Sequence, residues 1–370
     1  MRFLLVSTDY ADFLTWLYAQ NPGLETSSYA DQARARAQSL FSLADFYSRN
    51  LRRLGHEAWD VDVNNEHMQK AWAREHGVKV RDTRLGYRLR RGLVPWISRI
   101  KVDWQYEILA AQIRDYKPDV IINHATEISG NFLREQLRSE TRLLVGSFAS
   151  LLPQGFQVKA YDLVLSCVDN FVEYFRHEGA KSERLRFAFE PVVLERLGQM
   201  ERSIPVSFVG NLYTGHGSRR EWLEQVVRQT PLRAWGGWTD LANDSPLKRC
   251  YEGPAWGVRM YEVLHQSRTT LNHHVDVADA YAGNLRLFDA TGVGTLLISD
   301  WKKNLPEMFV PGKEIVVYRS PQECVDMIHY YLSHEAERAA IATAGQQRTL
   351  REHNYFNRMQ ELVNIVRKYL

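Results

Sequence analysis

The chain has 370 residues, 45% of them hydrophobic and 25% charged, with a formal net charge of +3. That length exceeds one ordinary core and suggests two domains, while near-balanced charge demands no polyanionic partner, and no nucleic acid is expected. The N-terminal apolar run is too short for a signal-peptide core, and no run reaches the length of a membrane span. Cys167, Cys250 and Cys324 are odd in number and far apart in sequence. They match neither a disulfide framework nor a CxxC metal site, so a cytoplasmic protein with reduced thiols is expected.

Short apolar runs alternate with longer amphipathic ones. FLLVS (3–7), EAWDVDV (57–63), DVIIN (119–123), RLLVG (142–146) and DLVLS (162–166) predict strands. Between them, 31–54, 103–116, 129–139 and 169–178 predict helices, a rhythm that implies a parallel sheet covered on both faces. The segment 184–204 holds Pro191 and a poorly periodic charged run, and marks a domain junction. The rhythm then repeats with VSFVG (206–210), LRAWG (232–236), TLNHH (270–274), TLLIS (295–299) and EIVVY (314–318), and helices follow from about Pro321 to the end. Two doubly wound α/β domains in tandem are expected, with ligand in the cleft between them. Neither half carries G-x-G-x-x-G after its first strand, and a P-loop and a G-x-S-x-G elbow are also absent. An ordinary NAD site, a P-loop kinase and an α/β-hydrolase are thereby disfavoured.

From 161 onward the pieces "YDLVLSCVDNFVEYFRHEGAKSERLRFAFEP", "VSFVGN", "LNHHVD", "NLRLFDATGVGTLLISD", "FVPGKEIVVYRSPQE" and "REHNYFNRM" follow in order. Together they resemble the spore-maturation-protein CgeB type of glycosyltransferase, a group related to glycosyltransferase family 4. Coverage is weak before about residue 160. The resemblance implies an α/β GT-B architecture, with two Rossmann-like doubly wound domains facing a central cleft. Residues 1–190 would hold the acceptor, 191–352 the nucleotide-sugar donor, and 353–370 a helix packing back on the first domain. It also implies retention at the anomeric carbon and no metal.

A nucleotide-sugar presents a diphosphate, a ribose diol and a planar base. The backbone at Asn284 and Leu285, where a short helix starts, suits the diphosphate, and Gly283 allows close approach. Arg286 would add charge-assisted hydrogen bonds, and Asp289 would accept from the ribose hydroxyls. Taken singly, Asn284 reads equally as a helix cap and Arg286–Asp289 as an i,i+3 surface pair; the flanking motifs favour donor binding. The family pattern usually has Glu where Asp289 stands, and often an earlier Glu where this chain has Tyr281, with Asp279 nearby. Gly210, Asn211, Gly215 and Gly217 open the second domain on a loop suited to an anion, and Arg219 or Arg220 would reach the diphosphate. Gly236 and Gly253 would hold the base through backbone groups, while Trp235 and Trp238 read as core. Asn272, His273 and His274 end a strand; adjacent strand residues face opposite ways, so one histidine, taken as His274, faces the cleft with Asn272, and zinc is not expected.

In the first half, Asp9 and Asp12 follow the first strand, and His124 and Glu127 follow DVIIN at a strand C-terminus. His124 ranks first as a catalytic group and Asp9 second. Segment 79–101 is rich in Arg and Lys and interleaves Tyr87 and Trp96. It reads as a solvated excursion, a dock for an anionic membrane face, or a grip for an acidic acceptor. The expected activity is metal-independent transfer of a sugar from a UDP-, GDP- or dTDP-sugar to a hydroxyl on a glycan, lipid-linked or protein acceptor, in the cytoplasm or at the inner membrane face. A nucleotide-sugar 2-epimerase and a catalytically silent binding component are the alternatives.

Overall fold

The apolar runs become two parallel sheets. A computed structural model describes all residues except 81–82, 91–93, 102, 138–140, 150–151, 213–216 and 239–240, and gives the backbone alone for 83–90, 94–101 and Gly217. The strands are β1 (Arg2–Ser7), β2 (Glu57–Asp62), β3 (Thr83–Arg90), β4 (Val94–Lys101), β5 (Val120–Asn123), β6 (Leu143–Ser147) and β7 (Leu163–Ser166). They continue with β8 (Ser182–Arg184), β9 (Ile204–Val209), β10 (Leu232–Trp235), β11 (Ser267–Asn272), β12 (Leu296–Asp300) and β13 (Val316–Tyr318). The first sheet runs β2-β1-β5-β6-β7-β8 and the second β10-β9-β11-β12-β13. Every pairing in them is parallel, with Leu4 beside both Trp59 and Ile121, and Leu271 beside both Phe208 and Ile298. Helices cover both faces, which explains why the central strands are unbroken apolar runs.

In each sheet the chain order reverses beside the first strand of the lobe, and the loops leaving β1, β5, β7, β9, β11 and β12 face one another across a cleft. That is where an open α/β sheet places ligand. β3 and β4 form a separate antiparallel hairpin. Any role for the basic side chains of 79–101 concerns mostly groups outside the described ones.

The expectation of one helical pattern over 31–54 is corrected. Two helices, Tyr29–Gln38 and Phe46–Arg53, flank a loop in which Leu40, Ser42 and Ala44 have φ of 56°, 56° and 41°. Left-handed backbone at three non-glycine residues is costly and persists only where surrounding contacts fix it. Two such contacts are present. Arg36 donates to the Ala44 carbonyl at 2.7 Å. Gly257 of the second lobe, with φ 57°, approaches so closely that a Cβ there would lie 2.2 Å from the Ser39 carbonyl oxygen.

The last helix, Tyr355–Arg367, lies on helix Phe46–Arg53 of the first lobe, with Tyr355 against Phe46 and Tyr47 and Arg53 over the Phe356 ring. Phe189 N–H donates to the His353 carbonyl at 2.8 Å, and the Phe189 carbonyl accepts from Tyr355 N–H at 3.1 Å. No helix among the described residues is long and apolar enough to cross a membrane.

Candidate active site between the lobes

A cavity of about 390 Å³ lies between the strand ends of the two lobes. The first lobe contributes Tyr47, His124, Phe148 and Phe171, and the second Arg219, His274, Asn284 and Leu285. A neighbouring cavity of about 170 Å³ is walled by Gly210, Asn211, Gly236, Tyr261, Arg286 and Asp289, with Tyr10 and Phe41 reaching over from the first lobe. Ser42 and Leu285 line both, so the two are compartments of one cleft.

The larger compartment carries unpaired polarity. Arg219, on helix Gly217–Val227, donates to the carbonyls of His273 at 2.6 Å and Asn211 at 3.3 Å, yet its Nε has no partner and it makes no ion pair among the described residues. Burial pulls its guanidinium down to about 10, with Asp300 opposing, so it is still a cation at neutral pH. His274 Nε2 and Asn284 Oδ1 are likewise buried without partners. Asn284 is aimed by its own amide, which donates to Asn272 Oδ1 at 2.7 Å. Buried groups of this kind usually find partners, so three on one wall mark a place for a polar ligand.

The polar groups of the smaller compartment are mostly satisfied. Arg286 donates to the Val209 carbonyl at 3.2 Å and stands 3.4 Å from Asp289. Burial pushes the Asp289 carboxyl up to about 6, with Arg286 and a Tyr261 hydrogen bond pulling the other way. Gly236 is required by geometry: its φ is 148°, and a Cβ would sit 2.1 Å from the Gly210 carbonyl oxygen.

His124 lines the larger compartment with its ring edge-to-face on Tyr47 at 5.2 Å, and burial pulls its imidazole down to about 4. It is therefore neutral at physiological pH and a weak base. Asp9 takes a different role from the catalytic one expected. Both its oxygens accept from Arg36, at 2.8 and 2.9 Å, and it lines no part of the cleft. A carboxylate so engaged organises the lobe and is not available as a base. Glu127 and Asp12 are exposed and outside both compartments.

Gly253 also falls away from the cleft: its carbonyl accepts from Gly236 N–H at 3.1 Å, and it lines neither compartment. Asn272 stands one layer back, holding Asn284 and donating to Ser299 at 3.0 Å. His273 turns away, stacked on Trp222 and bonded to the Tyr318 hydroxyl at 2.9 Å. Trp235 is buried, and Trp238 donates to the Gly210 carbonyl at 2.8 Å. Gly215 lies outside the described residues. Tyr281 packs under Lys303 at 3.8 Å, and neither it nor Asp279 reaches the cavity. The larger compartment therefore has no carboxylate among its described lining residues.

Sequence reading missed Ser42, which lines both compartments, and Asp300, which stands behind the wall with Oδ1 2.7 Å from His274 Nδ1. Asp300 had a signal, an acid directly after an apolar strand. Ser42 had none, because its place depends on a backbone turn within what looked like a helix.

Comparison with known proteins agrees with this layout. Residues 219–364 match a family described as glycosyl transferase-like. The chain is similar in structure to sucrose-phosphate synthase from Thermosynechococcus elongatus (12% identity, 100% of this chain and 98% of that one, TM-score 0.57). It is similar also to Anabaena HepE in complex with UDP and glucose (11% identity, 100% of both chains, TM-score 0.61). A third is the pneumococcal O-GlcNAc transferase GtfA in complex with UDP and GlcNAc (10% identity, 100% and 99%, TM-score 0.55). No curated protein matches significantly in sequence. Fold and cleft define the GT-B class, two facing Rossmann-like lobes. The glycosyl transferase-like match lies over the second lobe of this fold.

Proposed function

We propose that the enzyme transfers a sugar from a nucleoside-diphosphate sugar to a hydroxyl acceptor without a metal, in the manner of the CgeB type. The observation that carries this is Arg219, a buried cation with an unpaired Nε and no ion pair among the described residues, beside His274 Nε2 and Asn284 Oδ1 on the cavity wall. A diphosphate would satisfy the guanidinium, and electrostatic stabilisation of the leaving group is the main task in such chemistry. The nucleoside would occupy the smaller compartment, with Asp289 accepting from the ribose and the Gly236 backbone beside the base.

The resemblance to glycosyltransferase family 4 is what supports retention. Single displacement with inversion needs a base for the acceptor proton, and His124, held near 4, is a poor one. The 2-epimerase alternative requires acid and base groups around the sugar, and no carboxylate stands among the described residues lining the larger compartment. We place the reaction in the cytoplasm, on a glycan, lipid-linked or protein acceptor, with UDP, GDP and dTDP as candidate carriers. Titration calorimetry with UDP, GDP, dTDP and ADP tests the donor site: if none binds, the proposal fails. The anomeric configuration of the product, read by NMR, tests retention.

Asp289 gives a pH-dependent test. Only its ionised form accepts two hydroxyl protons, so nucleotide affinity is expected to fall as pH drops through about 6. Asp289→Asn should abolish that step, and Asp289→Ala should weaken binding by about 1–3 kcal/mol. An affinity unchanged in Asp289→Ala would place the ribose elsewhere.

A further inference from the structure

His274 is held by a carboxylate that the donor-site reading does not use. Its Nδ1 stands 2.7 Å from Asp300 Oδ1, and its backbone N–H donates to the same oxygen at 3.1 Å. Burial alone would raise the Asp300 carboxyl, but the hydrogen bond and charge of His274 outweigh it and hold the group down at about 2. An ionised Asp300 fixes the proton on Nδ1, so Nε2 is the free position, and that nitrogen is buried, unpartnered and on the cavity wall with Arg219. Asp300 is thus matched to an imidazolium.

The surrounding charges set the sign. Lys302 Nζ lies 3.5 Å from the other Asp300 oxygen, and Arg219 donates to the carbonyl of the adjacent His273. His273 is itself neutral, its imidazole pulled down to about 4 by burial, and it faces Tyr318. Asp276 is exposed and bonded to Ser218, so solvent screens it. Across the cavity stand His124, Tyr47 and the Cys167 thiol, none of them charged at neutral pH. Arg219 and Lys302 therefore exceed Asp300 by one positive charge. A sugar diphosphate brings one negative charge per phosphate, which leaves the assembly short by one, and a proton on Nε2 restores neutrality.

We propose that binding of the donor diphosphate puts a proton on His274 Nε2, and that this imidazolium, held by Asp300, is the second cation after Arg219 on the departing diphosphate. This rests on the donor-site reading above. As the bond between the anomeric carbon and the phosphate oxygen breaks, its electron pair stays on that oxygen, to which Nε2–H donates. The acceptor oxygen forms the new bond to carbon, and its proton leaves with the diphosphate. His274 returns its own proton to solvent when the nucleotide departs. Asp300 touches no substrate and is a positioning residue.

Calorimetric titration of UDP, GDP, dTDP and ADP into the whole protein at pH 8, in HEPES and in Tris, measures proton uptake on binding. A free nucleoside diphosphate carries one more negative charge at pH 8 than the sugar nucleotide, so the nucleotide that binds is expected to bring one proton or more with it, and His274→Gln should take up about one fewer. Asp300→Asn should cut the uptake and move the alkaline limb of the kcat profile to lower pH, with Asp300→Glu restoring much of both. Nucleotide binding to the wild type without proton uptake, or uptake undiminished in His274→Gln, would overturn the dyad and leave the donor site standing. Failure of all four nucleotides to bind would overturn both.

Discussion

Arg219→Ala is expected to lower kcat about 10²–10³-fold, the range seen when a preorganised charge donor to a developing anion is removed. The guanidinium stands buried in the cleft, which pulls its proton affinity down, and two carbonyls hold it in place. The cost of removing it from water is met during folding, so its attraction for a diphosphate is not spent on reorganisation. Arg219→Lys should recover only part of the activity, since an ammonium keeps the charge but loses the planar fork and the free Nε. The binding signature separates this role from a structural one. Affinity for the cognate nucleoside diphosphate should fall steeply, while affinity for the free nucleoside, confined to the smaller compartment, should change little. Equal weakening of both would mean that Arg219 shapes the lobe instead of gripping phosphate.

The contrast between Arg219 and Arg286 refines what the donor motif does. Both were assigned to the diphosphate from their positions near helix starts. Arg286 is instead spent on Asp289, the Val209 carbonyl and Met260, so its charge serves to keep a buried carboxylate ionisable. Arg219 has no carboxylate partner among the described residues. Of the two, it carries the surplus charge that a leaving group needs.

The strands of both sheets were legible because a parallel strand buried on both faces must be a short apolar run, and ten such runs stand in the sequence. β8, with the sequence SER, has no apolar residue and forms only as an edge beside β7, so it left no signal. The break in 31–54 was hidden for a different reason. Its left-handed residues are Leu, Ser and Ala, not Gly, and the turn is imposed by Arg36 and by the second lobe. Local readings did well where partners are close in sequence, as with Arg286 and Asp289 or the opposed faces of His273 and His274. Asp9 was misjudged because its partner is 27 residues away and nothing near it announces a buried guanidinium.

That buried pair sets the largest expected change in stability. Arg36 is almost fully buried between Asp9 and Asp62, at 2.8 and 2.9 Å, with Asp60 close behind. Burial pushes the Asp60 and Asp62 carboxyls up, while these carboxylates hold Arg36 protonated against the same burial. Arg36→Met would leave the carboxylates without a cation, a loss of about 3–5 kcal/mol at pH 8. The sign of the pH dependence follows from their raised pKa values. The folded state binds more protons than the unfolded chain between about 4 and 7, so the wild type loses stability as pH rises through that window. Without Arg36 these groups ionise with still more difficulty, and the deficit should be larger at pH 8 than at pH 5.5 in urea titrations. Arg36 also holds the Ala44 carbonyl, and through it the loop that brings Ser42 to both compartments. Activity should therefore fall in the fraction that remains folded, and Arg36→Lys, which keeps the charge but cannot reach two carboxylates and a carbonyl together, should restore stability more than turnover. A deficit independent of pH would show that packing, not charge, is what Arg36 supplies.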